Sequence, residues 1–214
     1  MPELLVFDFD GTLMDSERGI VRCIEQSVAA LGLAPGVVAA WRDLIGLPLA
    51  VQLERLLPPE RRGEVAHGVD VYRGFWSQLP EEDGGRPFPA VDDLLRNLRG
   101  RVRLAIATSK GRRGVLGQVA RAGWEGYFDP IVTPEDVAHP KPHPESLQRV
   151  CAYHGVEPGA VAYLGDSRFD MEMAVRAGVT GWGAAWGLHG RDALLAAGAA
   201  RCFDSPAEVA AALT

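Results

Sequence analysis

The residues able to do chemistry fall in short clusters that follow apolar runs. Asp8 and Asp10, in the segment DFDGT, come straight after the apolar residues 4–7. Alternation along a strand puts these two acids on one side and turns Phe9 away. Neighbouring carboxylates repel, and burying them is costly unless a cation or hydrogen-bond donors compensate. Thr108 and Ser109 offer hydroxyls that can donate to a phosphoryl oxygen, and Lys110 adds a charge beside them. Lys141 stands between Pro140 and Pro142, on a stiff backbone that suits an ammonium aimed at an anion. Asp166 and Asp170, in GDSRFD, add a second pair of acids. Asp170 falls in the first turn of an expected helix, where a negative charge is also favoured for its own sake. Acids, hydroxyl and lysine meeting above one sheet make a site for Mg²⁺ and a phosphate, since hard oxygen ligands suit Mg²⁺. His139 and His143 flank Lys141 and are read as surface residues, because the segment offers neither a helix face nor a third ligand.

The elements that must position these residues follow from the pattern around them. Short apolar runs at 4–9, 102–107, 131–132 and 161–164 read as strands, with another near 181–185. Helices are expected at 91–98, 111–122, 144–154 and 169–177, near 191–197, and from Ser205. Such alternation predicts an α/β fold, a Rossmann-like parallel sheet with helices on both faces. Between the first strand and the rest the pattern is wholly helical. Ser16 is the expected N-cap of a helix with Ile20, Ile24, Val28 and Leu31 on one face and Gly32 as its stop. Helical pieces broken at Gly46, Pro48 and Pro58-Pro59 continue to about residue 79, and the turn-rich stretch 80–89 reads as a linker. The expected organisation is a core of residues 1–14 and 83–214 with an inserted α-helical cap at 15–82. Ligands of open α/β sheets bind beyond the carboxyl ends of the strands, where the acids, Thr108 and Asp166 fall.

Composition limits the partners. The 214 residues carry a net charge of −6, with 47% hydrophobic and 23% charged residues. That is a globular composition, and its acidity gives no support to nucleic-acid or anionic-membrane binding. Cys23, Cys151 and Cys202 are isolated and odd in number, which points away from a disulfide framework and towards a reducing cytoplasm. No apolar run reaches membrane-spanning length, and the first residues lack a basic leader.

Together these motifs resemble the haloacid dehalogenase superfamily of phosphohydrolases. The resemblance rests on DxDGT at 8–12, Thr108, the Lys141-Pro142 segment and GDSxxD at 165–170, with Ala174, Ala177 and Gly178 behind them. FDFDGTLMDS at 7–16 and PFPAV at 87–91 are most similar to its phosphoglycolate phosphatase-like subgroup, which has a small helical cap. The resemblance implies that Asp8 is the nucleophile forming an aspartyl-phosphate and that Asp10 is the general acid and base. It implies that Thr108 and Lys141 act on the phosphoryl group, with Gly11, Thr12 and Ser109 also contacting it. Mg²⁺ would be held by Asp8, the Asp10 backbone carbonyl and Asp166, with Asp170 in support. Gly46 followed by Leu47-Pro48 sits where such caps face the active site.

The implied activity is Mg²⁺-dependent hydrolysis of a small phosphorylated metabolite, with 2-phosphoglycolate the first candidate. A β-phosphoglucomutase-like mutase shares every core residue, but the stretch 16–20 (SERGI) lacks the histidine such mutases carry after their first motif. A non-catalytic binding protein on the same fold is the remaining alternative; intact Asp8 and Asp10 argue against it. Acid at position 10 also disfavours dehalogenation.

Overall fold

A computed structural model describes residues 2–80 and 83–213. Met1, Glu81, Glu82 and Thr214, which belong to the expected core, insertion and linker, lie outside the described residues. The first strand, β1 (Leu4–Phe7), is followed by the two-residue β2 (Met14–Asp15). Four helices come next: α1 (Glu17–Ala30), α2 (Val37–Arg42), α3 (Leu49–Leu56) and α4 (Val65–Ser77). The chain returns through β3 (Arg86–Pro87) to α5 (Val91–Leu98), β4 (Arg103–Ala107), α6 (Arg112–Arg121) and β5 (Ile131–Val132). It then forms α7 (Glu145–His154), β6 (Val161–Gly165), α8 (Arg168–Ala177) and β7 (Thr180–Ala184). Last come α9 (Arg191–Ala196), β8 (Arg201–Phe203) and α10 (Pro206–Ala212).

Six strands form one parallel sheet in the order β5-β4-β1-β6-β7-β8. The α/β class read from the sequence is therefore the observed one. Period-2 alternation sorts the central strands between two apolar layers. Leu5, Phe7, Leu104, Ile106 and Leu164 pack with Leu94 and Leu95 of α5, Val115 of α6 and Val209 of α10. Leu4, Val6, Ala105 and Tyr163 face the other way, against Leu147 and Val150 of α7 and Met173 of α8. Each large side chain fully buried in these layers contributes roughly 1.5–3 kcal/mol.

Helices α1 to α4 bury a separate cluster of Ile24, Val28, Trp41 and Leu53, with Val69 and Tyr72 packed against it. Three details depart from expectation. Ser16 does stand at the N-cap of α1, but its hydroxyl makes no cap bond and donates to Asp10 instead. The expected linker contains β3, which pairs antiparallel with β2 so that Met14 faces Pro87 and Asp15 faces Arg86. A sixth sheet strand, β8, stands at an edge; it spans only three residues and begins with an exposed arginine, too short for a periodic signal.

Candidate active site

The parallel sheet brings β1, β4 and β6 side by side, so the residues just after their carboxyl ends become neighbours. Asp8 follows β1, and its backbone N–H donates to Leu164 O at 2.8 Å. The residue is 4% exposed. One oxygen, Oδ2, lies 3.0 Å from Lys141 Nζ, while Oδ1 is buried with no hydrogen-bond partner among the described residues. Phe9 is turned into the apolar layer, edge-on to Trp124, as alternation requires.

Asp10 lies on the same stretch but is held by a different set of groups. Lys110 Nζ is 2.9 Å from each of its carboxylate oxygens, and Ser16 Oγ donates to Oδ1 at 2.7 Å. The same ammonium lies 4.4 Å from the centre of the Trp76 ring, a cation–π contact supplied by α4. Lys110 is thus more than an added charge: it links the acid after β1 to an aromatic face of the helical insertion. Of the expected four-acid cluster, Asp8, Asp166 and Asp170 come together, with ligand atoms within 4.8 Å of one another.

Lys141 is 3% exposed and also reaches Asp170 Oδ1 at 2.5 Å. Asp170 is fully buried and accepts from Tyr163 Oη at 2.7 Å and from the Ser167 amide at 2.8 Å. These bonds occupy it as an orienting partner for Lys141 at the first turn of α8. Asp166 accepts from Thr12 Oγ1 at 3.1 Å and from the Leu188 amide at 2.9 Å. The hydroxyl of Thr12, expected on a phosphate, is therefore engaged by Asp166 here. Gly11 has φ +80°, and a Cβ there would lie 2.0 Å from Asp166 Oδ2, so only glycine fits.

Thr108 is buried and accepts from the Lys110 amide at 3.2 Å. Ser109 Oγ donates to Gly46 O at 2.7 Å and so joins the end of β4 to the insertion. Gly46 itself has φ +105°, and a Cβ there would come within 2.7 Å of Ser167 Oγ. His139 and His143 are exposed as expected, but a third ligand is present: α7 starts at Glu145, whose carboxylate turns back onto the Ala138 and His139 amides at 3.0 and 2.9 Å.

Charge sets the protonation of the cluster. Burial raises the Asp8 carboxyl to about 7, against the pull of Lys141 and with a further push from Asp170. Burial, then Asp170 and Asp8, hold Asp166 well above the usual carboxylate range. Burial also opposes ionisation of Lys141 and Asp170, yet each outweighs it for the other: the lysine is raised and Asp170 is lowered. Three buried carboxyls thus face one buried ammonium, and Asp8 Oδ1 lacks any donor. A hard divalent cation fits this arrangement: it matches oxygen donors and removes the excess negative charge.

Residues 186–189 also build the site, although no motif in the sequence marks them. Trp186 Nε1 donates to Thr12 O at 3.0 Å, and Leu188 binds Asp166 as above. A Cβ on Gly187 would overlap Gly11 O at 2.2 Å. Their contribution is mostly backbone and close approach, which leaves only a Gly-rich turn after β7 as a signal. Among the described residues no helix is long and apolar enough to cross a membrane.

Comparison with known proteins agrees with this geometry. The family model described as haloacid dehalogenase-like hydrolase matches residues 5–184. The chain is 35% identical over 215 residues to the protein named probable phosphatase IndB of Dickeya dadantii, covering 99% of this chain and 94% of that one. It is 29% identical over 203 residues to a phosphoglycolate phosphatase of Psychrobacter arcticus, covering 89% and 86%. A crystal structure from Bacteroides fragilis, described as a haloacid dehalogenase-like hydrolase, superposes with a TM-score of 0.89 at 26% identity, covering 98% of this chain and all of that one.

Proposed function

The chain belongs to the haloacid dehalogenase-like hydrolases as a phosphoric monoester hydrolase, and we propose that it hydrolyses a small phosphorylated metabolite through an aspartyl-phosphate on Asp8. The carrying observation is the buried Asp8 carboxylate, fixed through Oδ2 by Lys141 and with Oδ1 unengaged. In the first step Asp8 attacks phosphorus, the ester P–O bond breaks, and Asp10 gives a proton to the departing oxygen. In the second, Asp10 takes a proton from water as that water attacks phosphorus, and the Asp8–phosphate bond breaks. Lys141 offsets charge on the phosphoryl oxygens from its anchorage on Asp170, and Thr108 and Ser109 supply hydroxyl donors as the substrate enters.

Asp8, the Asp10 carbonyl and Asp166 would hold Mg²⁺, which supplies Lewis-acid charge neutralisation at the phosphoryl group. Lys110 and Ser16 hold the Asp10 carboxylate in place for the proton transfer. Helices α1 to α4, within the segment 15–82, act as a lid that excludes water, and the Gly46–Ser109 bond supports this reading of a closed position. The phosphoglycolate phosphatases among the relatives make 2-phosphoglycolate the first substrate to try. Three free buried cysteines suit a reducing compartment, and we assign the activity to the cytoplasm.

Phosphate release from 2-phosphoglycolate and a panel of phosphorylated metabolites, with Mg²⁺ and with EDTA, tests the proposal. Release in Mg²⁺ that disappears in EDTA is expected. Isomerisation of β-glucose 1-phosphate with negligible phosphate release would overturn it.

A further inference from the structure

His139 and His143 stand on either side of Lys141, on the loop that runs into α7. Their rings lie 4.7 Å apart, and the ligand atoms of His139, His143 and Glu145 all lie within 4.8 Å of one another. His139 Nδ1 is 3.1 Å from Glu145 Oε2. Two donors bound to one tetrahedral ion at about 2.0–2.1 Å are separated by close to this distance. A metal ion bound to both atoms would sit between them. His143 Nδ1 accepts only a long 3.3 Å bond from the Glu145 amide, which the ring can give up.

The carboxylate is prepared for this role. Both Glu145 oxygens are pinned by loop amides, Oε1 by Ala138 and Oε2 by His139, so the carboxylate is fixed beside the His139 ring. The side chain of His139 is 68% exposed, which leaves a path for an ion from solvent.

We infer that His139, His143 and Glu145 form a second metal site, separate from the buried acids, that takes a transition ion of the Zn²⁺, Co²⁺ or Ni²⁺ class. Two imidazoles and one carboxylate select such ions over Mg²⁺, which prefers an all-oxygen shell. Water completes the coordination at this exposed position. Because the two histidines bracket Lys141, the ion staples the lysine-bearing loop to the start of α7. Binding to the folded form alone stabilises it by mass action.

The test is calorimetric titration of the full chain with Zn²⁺ in excess Mg²⁺, which keeps the buried acids engaged, together with the visible spectrum on Co²⁺ addition. Wild type is compared with a His139→Ala/His143→Ala double variant; both side chains are exposed, so the variant keeps its fold and its Mg²⁺-dependent phosphatase rate. Wild type should bind one equivalent more than the variant and melt at a higher temperature with Zn²⁺, with no such rise in the variant. Glu145→Gln should weaken that equivalent at least tenfold. Equal stoichiometry and affinity in wild type and double variant, or binding only at millimolar Zn²⁺, would overturn the inference.

Discussion

Lys110 Nζ stands 2.9 Å from both carboxylate oxygens of Asp10 and 4.4 Å from the centre of the Trp76 ring. The acid we assign to proton transfer is therefore held by a cation from the end of β4, which itself rests on an aromatic ring of α4. Lys110→Met keeps much of the contact with Trp76 and removes the charge. The kcat for p-nitrophenyl phosphate should fall roughly tenfold to a hundredfold, the scale of losing a hydrogen bond to a charged group. KM should change little, because Lys141 still holds the phosphoryl group. A variant with unaltered kcat would show that Lys110 has no part in positioning Asp10.

Replacing Asp8 tests the nucleophile. Asp8→Asn should lower turnover on the order of a thousandfold or more, as loss of a covalent nucleophile does. The fold should persist, since Lys141 keeps Asp170 as its partner and one of three clustered buried carboxyls is gone. Substantial turnover by a variant shown by mass spectrometry to be free of deamidation is the contrary result.

The buried acids also predict how stability depends on pH without metal. Asp8 ionises near 3.8 in the unfolded chain and near 7 in the fold. Between those values the folded form holds a proton that the unfolded form has lost, so its contribution to stability falls as pH rises. Asp166 shifts in the same direction. Asp170 is lowered, so its stabilising contribution is fully present above its ordinary value; that of Lys141, which is raised, is also present throughout this range. Thermal melts in EDTA should show wild type losing stability relative to Asp8→Asn from pH 5 to pH 7. Mg²⁺ should protect wild type more strongly at pH 7 than at pH 5. A wild-type curve parallel to that of Asp8→Asn across this range would contradict the charge assignment.

Gly46 tests the contact between insertion and core. A side chain there meets Ser167 while the backbone is forced into a left-handed conformation. Gly46→Ala should push the loop off Ser109 and cost on the order of tenfold in kcat/KM, or about 1.4 kcal/mol. Ser109→Ala should show a smaller loss in the same direction. Full activity in Gly46→Ala, with a melting temperature equal to that of wild type, would remove this contact from the mechanism.

The legible parts were those that interrupt an apolar run. Asp8, Asp166 and the Thr108 turn end strands of four or five residues, so their type and position could be read together. Lys141 was legible through its two prolines. Lys110 carries little signal of its own in the sequence because its meaning depends on Asp10, 100 residues earlier, and on Trp76 from another helix. Gly187 to His189 leave little trace because they act through backbone N–H groups on Asp166 and the absence of a side chain at Gly187. Trp41 and Trp76 look alike in sequence. The first is fully buried with its indole donating to Gln52, while the second faces the site through Lys110.

The β2–β3 ribbon makes the helical segment a cassette. Met14 and Asp15 pair with Pro87 and Arg86, and Phe88 N donates to Leu13 O at 3.0 Å, so the chain departs from the sheet and comes back through a single doorway. What lies beyond that doorway can be lengthened, shortened or exchanged without altering the register of any strand that carries the acids. A graft between Asp15 and Arg86 is thus the natural cut for giving this core a different substrate preference.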